Sequence, residues 1–116
     1  KFDIQAATCS ENAKGEQPAA PEVITLTRKP GSAGSIRLLT GVKSPMRMTD
    51  SGNGHTVTVS FDESCFGNGV LWQQDAERFV CMEPWNGWAN SINEEGRHET
   101  LAPGAEKTFA WSITID

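Results

Sequence analysis

Apolar and polar residues alternate with a period of two along much of this chain, and nowhere do they recur with the 3.6-residue period of a helix. The clearest stretch is 55–62, where Val57, Val59 and Phe61 point one way and Thr56, Thr58 and Ser60 the other. Residues 23–27 and 36–40 read as two more strands. The turn-rich Lys29-Pro30-Gly31-Ser32-Ala33-Gly34-Ser35 between them makes a hairpin candidate. A short strand over 46–49 precedes Asp50-Ser51-Gly52-Asn53-Gly54, which is dense turn chemistry. Strands over 70–73, 78–83 and 107–115 complete the set, with Phe109, Trp111, Ile113 and Ile115 sharing one face of the last. The alternation predicts a core containing Val57, Val59, Phe61, Phe79, Phe109, Trp111 and Ile113, and at most a turn or two of helix. Short strands separated by Gly, Asn and Pro turns imply an all-β fold, an antiparallel β-sandwich or part of one.

Residues 1–22 differ from the rest. They are rich in Ala, Glu, Gln, Pro and Lys, with Phe2, Ile4 and Cys9 as the main apolar anchors, and read as an N-terminal arm or loop ahead of a domain over 23–116. A chain of 116 residues leaves room for one domain, and it contains no apolar run near the roughly 18 residues of a membrane span. Ten Lys and Arg against fifteen Asp and Glu give a net charge of -5, with the signs scattered. Nothing resembles the basic stripe that a phosphate backbone demands, so nucleic acid is not an expected partner. The first residue is Lys1 rather than Met, which is compatible with a removed targeting peptide and leaves the compartment open. Cys9, Cys65 and Cys81 match no CxxC pattern, so one disulfide and three thiols are equally consistent; Cys81, inside an apolar run, reads as a small packing hydrophobe. No GxGxxG, P-loop or Gly-x-Ser-x-Gly motif occurs, and no cofactor is implied. The adjacent acids Asp62 and Glu63 near Cys65 read as solvated turn charges rather than metal ligands.

The densest chemistry lies in Arg78-Phe79-Val80-Cys81-Met82-Glu83-Pro84-Trp85-Asn86-Gly87-Trp88. Phe79 to Met82 is apolar on both faces and reads as a buried strand; Pro84 cannot donate to a ladder, so the strand is expected to stop there with Glu83 at its rim. Trp85 and Trp88 offer flat apolar faces beside a charged acceptor, the combination that holds a polyhydroxylated ring. The same indoles also fit a plainer reading as packing aromatics, with Glu83 in a salt bridge.

A wider set of residues carries a family resemblance. Phe61-Asp62 before Cys65-Phe66-Gly67-Asn68-Gly69, Val70-Leu71-Trp72, the segment from Phe79 to Trp85, Asn90-Ser91-Ile92-Asn93 and Leu101-Ala102-Pro103-Gly104 resemble, in order and spacing, the C-terminal part of the aldose 1-epimerase (galactose mutarotase) family. About half of the chain is covered. The resemblance implies a large antiparallel β-sandwich holding a monosaccharide, with Glu83 as the base that takes the anomeric proton and Trp85, Trp88, Asn86 and Asn90 as substrate-binding residues. In that family a histidine is the acid at the ring oxygen, and two histidines and an aspartate upstream complete the site.

This sequence departs from that pattern. Its histidines are His55 and His98, neither at a position where the family carries its acid, and each reads as a surface residue, His98 being the better outside candidate. Anomerisation needs a base at one oxygen and an acid at another, and a carboxylate alone supplies half. Three readings follow. The favoured one is a non-catalytic mutarotase-like module acting as a structural or docking subunit against other protein chains. The others are the C-terminal portion of an epimerase with Glu83 as general base, and a small carbohydrate-binding module. A glycosidase fits less well, because Asp75, Glu94 and Glu95 read as loop charges.

Overall fold

The structure is a computed structural model that describes residues 2–3, 8–11, 23–24, 35–74 and 79–116, with side chains described from Ile36 onward. The described residues form β1 (Phe2–Asp3), β2 (Thr8–Glu11), β3 (Val23–Ile24), β4 (Ser35–Thr40), β5 (Met46–Thr49), β6 (Thr56–Phe61), β7 (Asn68–Gln73), β8 (Val80–Trp85) and β9 (Trp111–Ile115). Their only helical element is a 3-10 turn over Ser91–Asn93. All pairings are antiparallel. One sheet has the order β3-β1-β5-β6-β9, the other β2-β4-β7-β8.

The two sheets share one core. Met46, Val59 and Phe61 from the first and Leu39 and Leu71 from the second are each at most 7% exposed and form a single cluster with Val42, against which Met48, Phe66, Val80 and Met82 pack. The alternation of 56–61 produces this directly, since Val59 and Phe61 are buried while Thr58 and Ser60 on the other face are half-buried. Leu39, Val42, Met46 and Leu71, the most completely buried side chains, are absent from the core expected from the sequence. The reason is geometric: Val42 sits in the loop after β4. There the main-chain N–H groups of Gly41 and Val42 donate to Gly67 O at 2.8 and 3.2 Å, and Ser44 N donates to Glu63 Oε1 at 2.9 Å.

Several expectations are corrected. The proposed hairpin between 23–27 and 36–40 does not form, because β3 pairs with β1 in one sheet while β4 pairs with β2 and β7 in the other. Within the expected arm or loop, Phe2–Asp3 and Thr8–Glu11 are strands, one in each sheet; the other residues of the arm, and 29–34 of the intended turn, lie outside the described ones, while Ser35 opens β4. Strand β8 runs through Pro84 instead of ending before it. It is an edge strand, so the missing Pro84 N–H removes no ladder bond on its open side. For the same reason β8 is half-buried throughout rather than buried on both faces.

The largest correction concerns the C-terminal stripe. Phe109, Trp111 and Ile113 were expected inside and are 44%, 62% and 54% exposed, while Phe79 and Val57 are half-buried. The period was read correctly: Trp111 lies opposite Phe61, Ile113 opposite Val59 and Ile115 opposite Val57, so all point to the core side of their sheet. Among the described residues, strand β9 is nevertheless the outer strand there, and all five of its residues are exposed. Its apolar face continues the core side of the sheet and is left exposed.

Candidate functional site

Because Val80 and Met82 pack on the core, alternation along β8 turns Cys81, Glu83 and Trp85 to the opposite, outer face of the four-stranded sheet. Glu83 is therefore mid-strand on a sheet face, and not at a strand rim. Its cross-strand neighbour Val70 is 3% exposed, and Trp72 stands opposite Cys81 with its ring 5.1 Å from that of Phe79. The carboxylate thus rises from a largely apolar floor. Trp85 Nε1 donates to Glu83 Oε2 at 2.8 Å, which orients the acid along the strand. The Cys81 thiol is held above its ordinary value by burial, then by the Glu83 charge and a hydrogen bond to it, so it stays protonated beside the carboxylate. Cys65 and Cys81 are both free. A carboxylate accepts about four hydrogen bonds, and these two donors leave room for ligand hydroxyls.

Beyond Trp85 the chain turns back. Trp85 and Trp88 meet with centroids 6.0 Å apart and planes at 59°, and Trp88 lines a cleft of about 360 Å³ with Asn68, Asn86, Arg97, His98 and Glu99. Two glycines shape it. A Cβ at Gly87 would come 2.9 Å from Ser91 Oγ, and Gly96 has φ +75°, which side-chain-bearing residues rarely adopt. Asn86 is anchored by Nδ2 donating to Cys65 O at 2.7 Å. His98 Nδ1 lies 3.2 and 3.0 Å from the carbonyl oxygens of Ser91 and Glu94; both are pure acceptors, so Nδ1 carries the proton. His55, exposed, bonds through Nδ1 to the main-chain oxygen of Asp116 at 3.1 Å. Neither imidazole is a hydrogen-bond partner of Glu83.

Of the residues expected to bind substrate, Trp85 packs on Trp88, Trp88 and Asn86 line the cleft, and Asn90 is not among its lining residues. It takes φ 68° ahead of the 3-10 turn, and its Oδ1 accepts from Asn93 Nδ2. Asn68, Arg97 and Glu99 were not anticipated. Asn68 enters only because β7 pairs with β8 and sets it across from Trp85. The acids of the Asp62 turn serve structure: Asp62 Oδ1 accepts from Ser64 N and Oγ at 2.9 and 2.7 Å, and among the described residues no group of His, Cys, Asp and Glu is arranged to hold a metal.

Among the described residues, three carboxylates are held below their ordinary values: Asp62 by the Ser64 hydroxyl and amide, Glu63 by the Ser44 amide and Lys43, and Glu99 by Lys107. Each favours the fold when ionised. That stability is present above the ordinary values of 3.8 and 4.5 and is lost as pH falls through the lower folded ones. The thermal midpoint is expected to drop on acidification through this range, and Glu63→Gln to flatten the drop; an unchanged acid limb in scanning calorimetry would remove Glu63 from this account.

Compared with family models, curated proteins and solved structures, the chain matches none.

Proposed function

We propose that this chain is a mutarotase-like β-sandwich module that holds a monosaccharide against Glu83, is non-catalytic by itself, and docks on other protein through its uncovered sheet face. The observation that carries the reading is the half-buried Glu83 carboxylate, oriented by the Trp85 indole at 2.8 Å on an apolar sheet face with no imidazole bonded to it. A carboxylate beside the Trp85 indole accepts sugar hydroxyls while the ring takes the apolar face of the pyranose. Ring opening needs an acid at the ring oxygen as well, and both histidines of the chain are engaged with main-chain oxygens elsewhere.

The stripe of Trp111, Ile113 and Ile115 supports the docking half of the proposal. It is 54% to 70% exposed, uncharged and continuous with the core, the form of a face that a further apolar β-layer covers. That same stripe favours a second reading, in which the covering layer and the acid belong to the remainder of an aldose 1-epimerase and Glu83 is its general base.

Polarimetry of freshly dissolved α-glucose, with sugar binding followed in parallel by tryptophan fluorescence, tests the proposal. The isolated chain is expected to bind glucose or galactose and to leave mutarotation at the buffer rate. A rate well above buffer that disappears in Glu83→Gln would overturn the non-catalytic reading and direct attention to His98 as the acid.

A further inference from the structure

Glu83 and the cleft are joined by an unbroken line of contacts. Glu83 Oε2 accepts from Trp85 Nε1, Trp85 leans on Trp88, and Trp88 lines the cleft. Asn68, opposite Trp85 and so on the same sheet face as Glu83, lines it too. Glu83 and Trp85 are two residues apart, about 7 Å along an extended strand, and the cleft lies beyond Trp85. A single pyranose against the carboxylate leaves the cleft unfilled.

The charges of the cleft are matched internally. Arg97 pairs with Glu94 at 3.1 Å, and Glu99 pairs with Lys107 while accepting from Asn86 Nδ2 at 3.4 Å. An ionic ligand therefore finds no unmatched counter-charge. What remains is the Asn68 amide, whose Nδ2 donates to Asn86 O at 3.4 Å but which keeps its Oδ1 and a second N–H, together with the Trp88 indole and His98 Nε2, an acceptor when the ring is neutral with Nδ1 protonated. Amide donors and acceptors around one flat apolar face are the chemistry of a neutral polyol. At about 360 Å³ the cleft is at the small end of ligand pockets, the scale of one sugar ring.

We infer that the cleft is a second sugar subsite, so that the ligand is a glycosidically linked saccharide with one residue against Glu83 and the next on Trp88. This rests on the sugar-site reading of Glu83 and extends it from a monosaccharide to at least a disaccharide. Neutral linked sugars are the class selected, since the paired charges disfavour phosphorylated or acidic ones.

Calorimetric titration of the full chain with glucose, galactose, maltose, cellobiose and lactose decides the matter. At least one disaccharide is expected to bind about tenfold or more tighter than either monosaccharide, a difference of about 1.4 kcal/mol. Asn68→Ala is expected to bring that disaccharide down to the affinity of the monosaccharide while leaving the latter within about twofold, as for a subsite contact alone. His98→Ala repeats the test should Asn68→Ala lose its far-ultraviolet circular dichroism. Glu83→Gln is expected to weaken both ligands. Monosaccharide binding that no disaccharide exceeds, or a disaccharide preference that survives both cleft variants, overturns the subsite and leaves the Glu83 reading standing. Binding of neither class overturns both.

Discussion

Phe61→Ala is expected to cost the fold about 3 to 5 kcal/mol, while Trp111→Ala, its direct cross-strand neighbour, is expected to cost the isolated chain less than about 1 kcal/mol. The two rings share a sheet face and a register position, yet Phe61 is 7% exposed and Trp111 62%. Phe61 also sits at the end of an aromatic ladder, 6.0 Å from Phe66, which in turn lies 5.8 Å from Phe109. Removing it deletes buried area and opens a cavity beside Val59 and Leu71. Removing Trp111 deletes surface that water already reaches, so the transfer gain is small. Urea unfolding of both variants measures the pair. Equal losses would mean that a layer covers β9 in solution, as in a self-associated form, and the concentration dependence of the Trp111→Ala midpoint would identify it.

On the second reading, in which a covering protein supplies the acid, Glu83→Gln is expected to slow anomer interconversion by about two to four orders of magnitude in the complex of this chain with such a protein. Glutamine keeps the size of the side chain and its capacity to accept from Trp85 Nε1, so geometry and folding are preserved while the base is lost. The measurement is again polarimetric, with the unchanged thermal midpoint as a control for folding. If that complex shows no activity above buffer even with Glu83 intact, the module is non-catalytic in its assembly as well, and the carboxylate serves binding alone. A substantial activity that survives Glu83→Gln removes the residue from the chemistry.

Both predictions turn on which faces are covered, and there local pattern and tertiary structure part. Alternation in the sequence determined the strands at 46–49 and 56–61, the turn at 50–54 and the shared face of Trp111, Ile113 and Ile115, because side-chain direction in a strand follows from the two-residue repeat alone; of the strand expected over 107–115 only 111–115 forms. Residue chemistry singled out Glu83, Trp85 and Trp88, which the fold links through the Trp85–Glu83 hydrogen bond and the Trp85–Trp88 ring contact. Local sequence carries such short-range placements.

The tertiary structure decided everything that depends on a neighbour. Whether an apolar face is core or surface depends on a second layer, and no residue of β9 records that its own face is left exposed. Whether Pro84 ends a strand depends on which edge of β8 is open. Burial of Leu39, Val42 and Met46 follows from sheet stacking and from the clamp that Gly67 O and Glu63 place on the 41–45 loop. The cleft likewise needs β7 paired to β8 to set Asn68 opposite Trp85, and the turn at Gly96 to bring His98 and Glu99 back toward them. Periodicity specifies the direction of a side chain, and only packing between segments distant in the chain specifies what that side chain meets.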